Sequence, residues 1–139
     1  MATSASRFRR AAVPAALDLI LVVVFVGVGR GFHEEGLTVG SMVVTAWPFV
    51  AALALGWLVT RAWRSPWQVV RPGMGIWIVT VAAGMMLRFI AGFGTAISFM
   101  IVTTLVLGVL LLGWRVIARL LVPREEPRHD TLRHDEMSS

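Results

Sequence analysis

Apolar residues fall in four long blocks separated by short stretches that carry arginine, glycine or acidic groups. The blocks run from about Ala11 to Gly29 and on to His33, from Ser41 to Thr60, from Met74 to Phe93, and from Ala96 to Leu121. A hydrocarbon core of about 30 Å takes about 20 helical residues at roughly 1.5 Å each, and every block meets that length. Backbone amides in lipid must be bonded within their own segment, so these blocks predict helices. The expected fold class is an all-α integral membrane protein with four transmembrane helices. Residues 1–10 form a basic N-terminal segment, 11–122 a transmembrane domain (11–33, 41–60, 74–93, 96–121), and 123–139 a charged tail with the composition of disorder.

Arginine placement orients the blocks. Arg7, Arg9, Arg10, Arg61, Arg64, Arg71, Arg115, Arg119, Arg124, Arg128 and Arg133 fall on one side, and only Arg30 and Arg88 on the other. Cytoplasmic loops carry the arginine excess, so both termini are expected in the cytoplasm of a cell bounded by this inner membrane. The six tryptophans sit mostly near block ends, as interfacial anchors do. A basic start followed by an apolar stretch also describes a signal peptide, with Gly27-Val28-Gly29 as cleavage site. The block's length, its Asp18 and the even span count argue for a retained helix.

Composition sharpens this picture. Of 139 residues, 57% are hydrophobic and 15% charged, and mean hydropathy is +0.76. A soluble domain needs nearly twice that charge to cover its core. There is no Cys, which excludes disulfides and thiolate metal sites. There is no Lys, which excludes Schiff-base cofactors and a Walker A loop. No cofactor is expected. The net charge of +5 does not predict a nucleic-acid partner, because the arginines flank apolar blocks and form no basic face. His129 and His134 lie in the tail, where solvation is the simpler reading.

Sliding the chain by 58 residues aligns Arg30 with Arg88, Gly36 with Gly94, Met42 with Met100, Val44 with Val102, Thr45 with Thr103, Leu53 with Leu111 and Arg61 with Arg119. One residue out of register, Gly56-Trp57 matches Gly113-Trp114. The pattern reads as two tandem helical hairpins related by a pseudo-twofold axis along the membrane normal; coincidence among apolar segments is the alternative. The acidic groups break the symmetry. Asp18 aligns with Ile76, and His33, Glu34 and Glu35 align with Ala91, Gly92 and Phe93.

Ionisable groups inside a membrane cost at least about 2.5–3.5 kcal/mol each, which makes them the candidate site residues. Asp18 lies inside the first block near its cytoplasmic end. Arg115 lies at similar depth on the fourth, on a face with Thr104 and Gly108, and Arg61 on the second. An Asp18–Arg115 pair is expected, and exchange of the two residues should partly rescue single substitutions. Thr80, Gly84, Arg88 and Gly92 follow at four-residue intervals and form one stripe. That stripe points Arg88 into the protein, near Arg30, with His33, Glu34 and Glu35 to neutralise both. Two readings stand for this end: a binding vestibule for an anion or polar headgroup, and an outer salt-bridge latch with snorkelling arginine stems. Gly27 with Gly31 and Ala52 with Gly56 have helix-packing spacing. Pro48 interrupts the backbone ladder of the second helix.

Asp18, Gly29-Arg30, His33, Gly36, Trp47-Pro48-Phe49, Gly56-Trp57, Trp77, Gly84, Leu87-Arg88, Gly92, Gly94-Thr95 and Phe99 together resemble a family of small actinobacterial and haloarchaeal membrane proteins, domain of unknown function 3054. The resemblance covers about Ala16 to Leu120. It implies a four-helix membrane architecture and no established activity. The function expected is non-enzymatic: a structural or accessory membrane subunit, or alternatively a small-solute transporter or channel acting as a homo-oligomer. A membrane-embedded enzyme ranks third, because Asp18 lies at the opposite face from His33, Glu34 and Glu35. Expected partners are the lipid bilayer and either a second copy or another membrane protein. A bound molecule or water-filled cavity next to Arg88 or Asp18 would favour the solute-handling reading, and a dry, tightly packed bundle the accessory one.

Overall fold

The computed structural model describes residues 4–31 and 38–122. It contains four helices: α1 (Ser4–Gly31), α2 (Val39–Thr60), α3 (Gly75–Ile90) and α4 (Ile97–Leu121). A 3-10 turn (Ala62–Arg64) and a wider π-type turn (Val69–Met74) connect α2 to α3. With that second turn included, all four helices are long and apolar enough to cross a membrane. Among the described residues there is no strand. The chain is an all-α, multi-pass membrane protein.

Helix ends differ from the apolar blocks for local reasons. The first helix begins at Ser4 and includes most of the expected basic segment, because alanine and arginine favour helix beyond the limits of the lipid-facing run. At 28 residues it is about 42 Å long, against a core of about 30 Å. Residues 32–33 of the expected first span and the whole tail lie outside the described residues. In α2, Thr38 caps the start by accepting from the Ser41 amide at 3.3 Å. Arg61 ends the helix in a left-handed conformation (φ 50°). The third helix stops at Ile90, three residues short of expectation, and Gly92 adopts φ 79° in the turn that follows. Gly92 is therefore not part of the Thr80–Gly84–Arg88 stripe.

The two hairpins bury equivalent positions. In α1 the buried stripe is Pro14, Asp18, Val22 and Val26; 58 residues on, Pro72, Ile76, Thr80 and Gly84 are buried too. Phe49 and Leu53 of α2 correspond to Leu107 and Leu111 of α4, and all four are buried. Extended back into α1, the repeat gains Pro14 with Pro72, Ile20 with Ile78 and Val23 with Val81, ten identities in all. Both halves are thus built on one four-residue spacing, as a stripe facing a shared core requires.

The α2–α3 contact is the closest in the bundle. Gly56 lies against the backbone of Ile76, where an added Cβ would stand 3.2 Å from its carbonyl oxygen. About two turns on, a Cβ at Gly84 would stand 2.7 Å from Phe49 Cδ1. Phe49 is fully buried, with its ring edge-on to Phe25 at 5.7 Å and tilted against Phe99 at 6.4 Å. The Ala52–Gly56 spacing therefore serves helix packing as expected. Gly27 packs near Met42, but Gly31 has open space around it, so Gly27–Gly31 is not a packing motif here. Pro48 is buried within an α2 that continues past it.

Phe49 is fully buried between Phe25 and Phe99, so an added Cβ at Gly84 must displace its ring from both contacts. Gly84→Ala should therefore lower stability by about 1–3 kcal/mol, whereas Gly113→Ala, which meets open space, should leave it unchanged or slightly raised. Thermal melting of the purified variants in detergent would test the contrast; equal melting would mean that α2 and α3 can separate at little cost.

Candidate functional site

The arginine-rich end of the bundle holds a closed polar cluster. Asp18 and Arg115 are both fully buried. Arg115 Nη1 donates to Asp18 Oδ1 at 2.8 Å and Nη2 to Oδ2 at 2.7 Å, a two-pronged pair that a guanidinium fork suits. Trp114 Nε1 donates to the same Oδ1 at 2.8 Å, and Trp57 Nε1 to Oδ2 at 2.9 Å. Two more guanidinium donors are directed to the backbone: Nε to the Pro66 carbonyl at 3.2 Å and Nη1 also to the Leu111 carbonyl at 2.7 Å. The cluster thus joins α1, α2, α4 and the α2–α3 connection. Arg115 packs over the Trp114 ring at 4.5 Å, and Trp67 stands edge-on to that ring at 5.8 Å. Four donors fill the roughly four lone-pair sites of one carboxylate. An acid or base needs a free lone pair toward its substrate, and the arrangement instead suits a structural pin.

The opposite end carries a vestibule of about 660 Å³. Arg30 on α1 and Arg88 on α3, the two repeat-related arginines, both line it. Arg30 Nη1 donates to Thr45 Oγ1 at 2.6 Å, and Thr45 donates to the Ser41 carbonyl at 3.0 Å. Arg88 lies 4.5 Å over the Phe99 ring and 5.7 Å from that of Phe93, within cation–π range. Phe25 and Phe49 complete an aromatic wall. Below it, the hydroxyls of Thr80 and Thr103 are buried and find no hydrogen-bond partner among the described residues. Beneath those lies an apolar layer of Val22, Leu53, Ile76, Leu107 and Leu111.

The structure brings together Asp18 with Arg115, and Arg30 with Arg88. Arg61 stays exposed at the α2 terminus, away from Asp18. His33, Glu34, Glu35, His129 and His134 lie outside the described residues. On α4 the buried face holds Thr103, Leu107, Gly108, Leu111 and Arg115; Thr104 is to one side, where its carbonyl accepts from Trp77 Nε1 at 3.0 Å. Three of the six tryptophans depart from the anchor reading, because Trp57, Trp77 and Trp114 direct their indole N–H into the bundle, whereas Trp47, Trp63 and Trp67 are exposed. The displaced repeat of Gly-Trp was the signal for two of them: both copies converge on one carboxylate.

That convergence also changes the expected rescue. Removing one member of a buried pair leaves the other charge uncompensated, so Asp18→Asn and Arg115→Gln should each cost about 3–5 kcal/mol. Exchanging the two residues should not restore stability, because it aims indole donors at a cation and a carboxylate at the Pro66 and Leu111 carbonyls. Trp57→Phe should cost less than either charge removal. Detergent melting curves would test the order; a stable exchanged variant would show that charge pairing alone holds the cluster.

Comparison with known proteins agrees with this architecture at the level of family. No curated protein and no solved structure matches the chain. Residues 15–118 match the family described as protein of unknown function DUF3054. That stretch begins just before Asp18, ends just after Arg115, and includes Trp57, Trp114, Arg30 and Arg88, so the chain belongs to the DUF3054 family.

Proposed function

We propose that this chain is a non-enzymatic membrane protein that binds a small anionic solute in the vestibule between Arg30 and Arg88, as a solute-handling unit that works as a homo-oligomer. The vestibule carries the reading. Its volume lies within the range of small-molecule sites. Two guanidinium groups reach it from equivalent places in the two hairpins, and their forked donors suit carboxylate or phosphate oxygens. The phenyl rings supply an apolar wall for the body of such a solute. An enzymatic reading has less support: Asp18 is saturated with donors and lies about 18 Å along α1 from Arg30. A second reading, a structural or accessory subunit, draws support from the apolar layer beneath the vestibule and from exposed apolar residues such as Leu105, Val109 and Leu120 on α4, which another membrane helix would cover. In both readings the arginine-rich end faces the cytoplasm of the inner membrane, with both termini there.

Titration of the purified protein with inorganic phosphate and with benzoate tests the first reading. Saturable binding of at least one is expected. Arg88→Gln and Arg30→Gln should each weaken it about tenfold, or about 1.4 kcal/mol, with little change in melting. Absence of saturable binding of both anions would leave the accessory reading. For orientation, labels near Met1, Arg64 and Ser139 should report cytoplasm and one near Glu35 the outside; an external Arg64 would overturn the topology.

A further inference from the structure

We infer that an apolar groove at the arginine-rich end holds one acyl chain of an anionic phospholipid, with Arg7 and Arg9 on its phosphate. The groove has a volume of about 470 Å³ and is lined by Phe8, Ala11, Ala12 and Ala15 of α1 together with Trp57 and Trp63. It is separate from the vestibule and does not depend on what the vestibule binds. Residues 8, 11, 12 and 15 follow the spacing of a single helical face. Three alanines make its floor shallow enough to admit a chain, and the aromatic rings make its walls.

Three observations select the occupant. The lining residues are all apolar, so the part that enters is hydrocarbon. The surroundings are cationic: Arg7 and Arg9 border the α1 stripe on either side, Arg64 follows Trp63, and all three are exposed. Asp18 is the only acidic residue among the described residues, and it is bonded to Arg115, so no carboxylate among the described residues neutralises those arginines. A second copy docked by the same face would set arginine against arginine. Finally, the geometry suits a lipid lying along the bilayer normal. Phe8 to Ala15 spans about 10 Å of helix, within the roughly 15 Å of one leaflet's hydrocarbon, and α1 projects further toward the headgroups. Basic clusters at that level attract anionic lipids.

The groove differs from an ordinary lipid-facing surface because one wall is fixed. Trp57 is held by its bond to Asp18, so a chain packed on Trp57 supports the indole that supports the buried pair. Occupancy should therefore raise thermal stability.

The test uses the full chain in detergent, with phosphatidylglycerol or phosphatidylcholine of identical chains. Native mass spectrometry should show one phosphatidylglycerol retained and phosphatidylcholine lost, and the former should raise the melting temperature. The Arg7→Gln/Arg9→Gln double variant should weaken retention roughly thirtyfold. Arg10→Gln, on the opposite face of α1, should not. Ala12→Leu, which fills the exposed side of the groove, should abolish retention while leaving lipid-free melting unchanged; Ala15→Val serves in its place where Ala12→Leu does not fold. Glycerol 3-phosphate, a headgroup without a chain, should not compete. Equal retention of both lipids, or retention of phosphatidylglycerol by the filled variant, would overturn the site. So would a change of oligomeric state on filling the groove, which would identify a second copy as its occupant.

Discussion

A carboxylate removed from water costs several kcal/mol unless other groups replace its hydration, and Asp18 has every oxygen lone pair replaced. Arg115 supplies two donors, Trp57 one and Trp114 one. The cation's remaining needs are met by the Pro66 and Leu111 carbonyls. Much else follows from this one arrangement. Pro66 is drawn against α4, which sets the course of the α2–α3 connection. Two indole rings are fixed, and one of them becomes a wall of the groove at the arginine-rich end. Above all, α1 is tied to α4, a pair that otherwise meets far less closely than α2 and α3.

The correspondence of buried positions between the two hairpins shows why such a tie is needed. A pseudo-twofold axis would make the α4–α1 contact the copy of α2–α3. Yet α2–α3 closes on Gly56, Ala52 and Gly84, whereas the equivalent positions of α4 and α1 are Trp114, Leu110 and Val26. Small residues let backbones approach in a bilayer, where apolar burial gives little drive between helices. Bulky ones hold them apart. The first interface is therefore secured by close packing and the second by an ion pair with its indole donors. Ile76, the counterpart of Asp18, is buried against Gly56 and needs no polar partner.

The spans and the Asp18–Arg115 pair were legible because hydropathy and the scarcity of intramembrane charge are strong signals. Arg30 and Arg88 were legible as a pair through the repeat. The tryptophans were not: a residue near a block end has the same pattern whether its N–H faces lipid headgroups or a carboxylate, and only the fold reveals which. Helix limits were equally obscure. Hydropathy marks where lipid begins, but Ser4–Arg10 remain helical beyond it, and Gly92 turns the chain before the apolar run at Phe93 is finished. The stacking of Arg88 on Phe99 joins residues on two helices, which spacing along one helix cannot show.

The distribution of rigid and polar contacts constrains how a solute could move. A solute in the vestibule is separated from the Asp18 cluster by Val22, Leu53, Ile76, Leu107 and Leu111. Opening that layer between α2 and α3 would pull Gly56 off the Ile76 backbone and Gly84 off Phe49. Opening it between α1 and α4 would strip donors from Asp18 and leave two charges exposed to hydrocarbon, at a cost comparable to breaking a buried pair, about 3–5 kcal/mol. Both routes through the interior are thus opposed, one by packing and the other by electrostatics. A single copy is better suited to hold a solute above a fixed floor than to pass it.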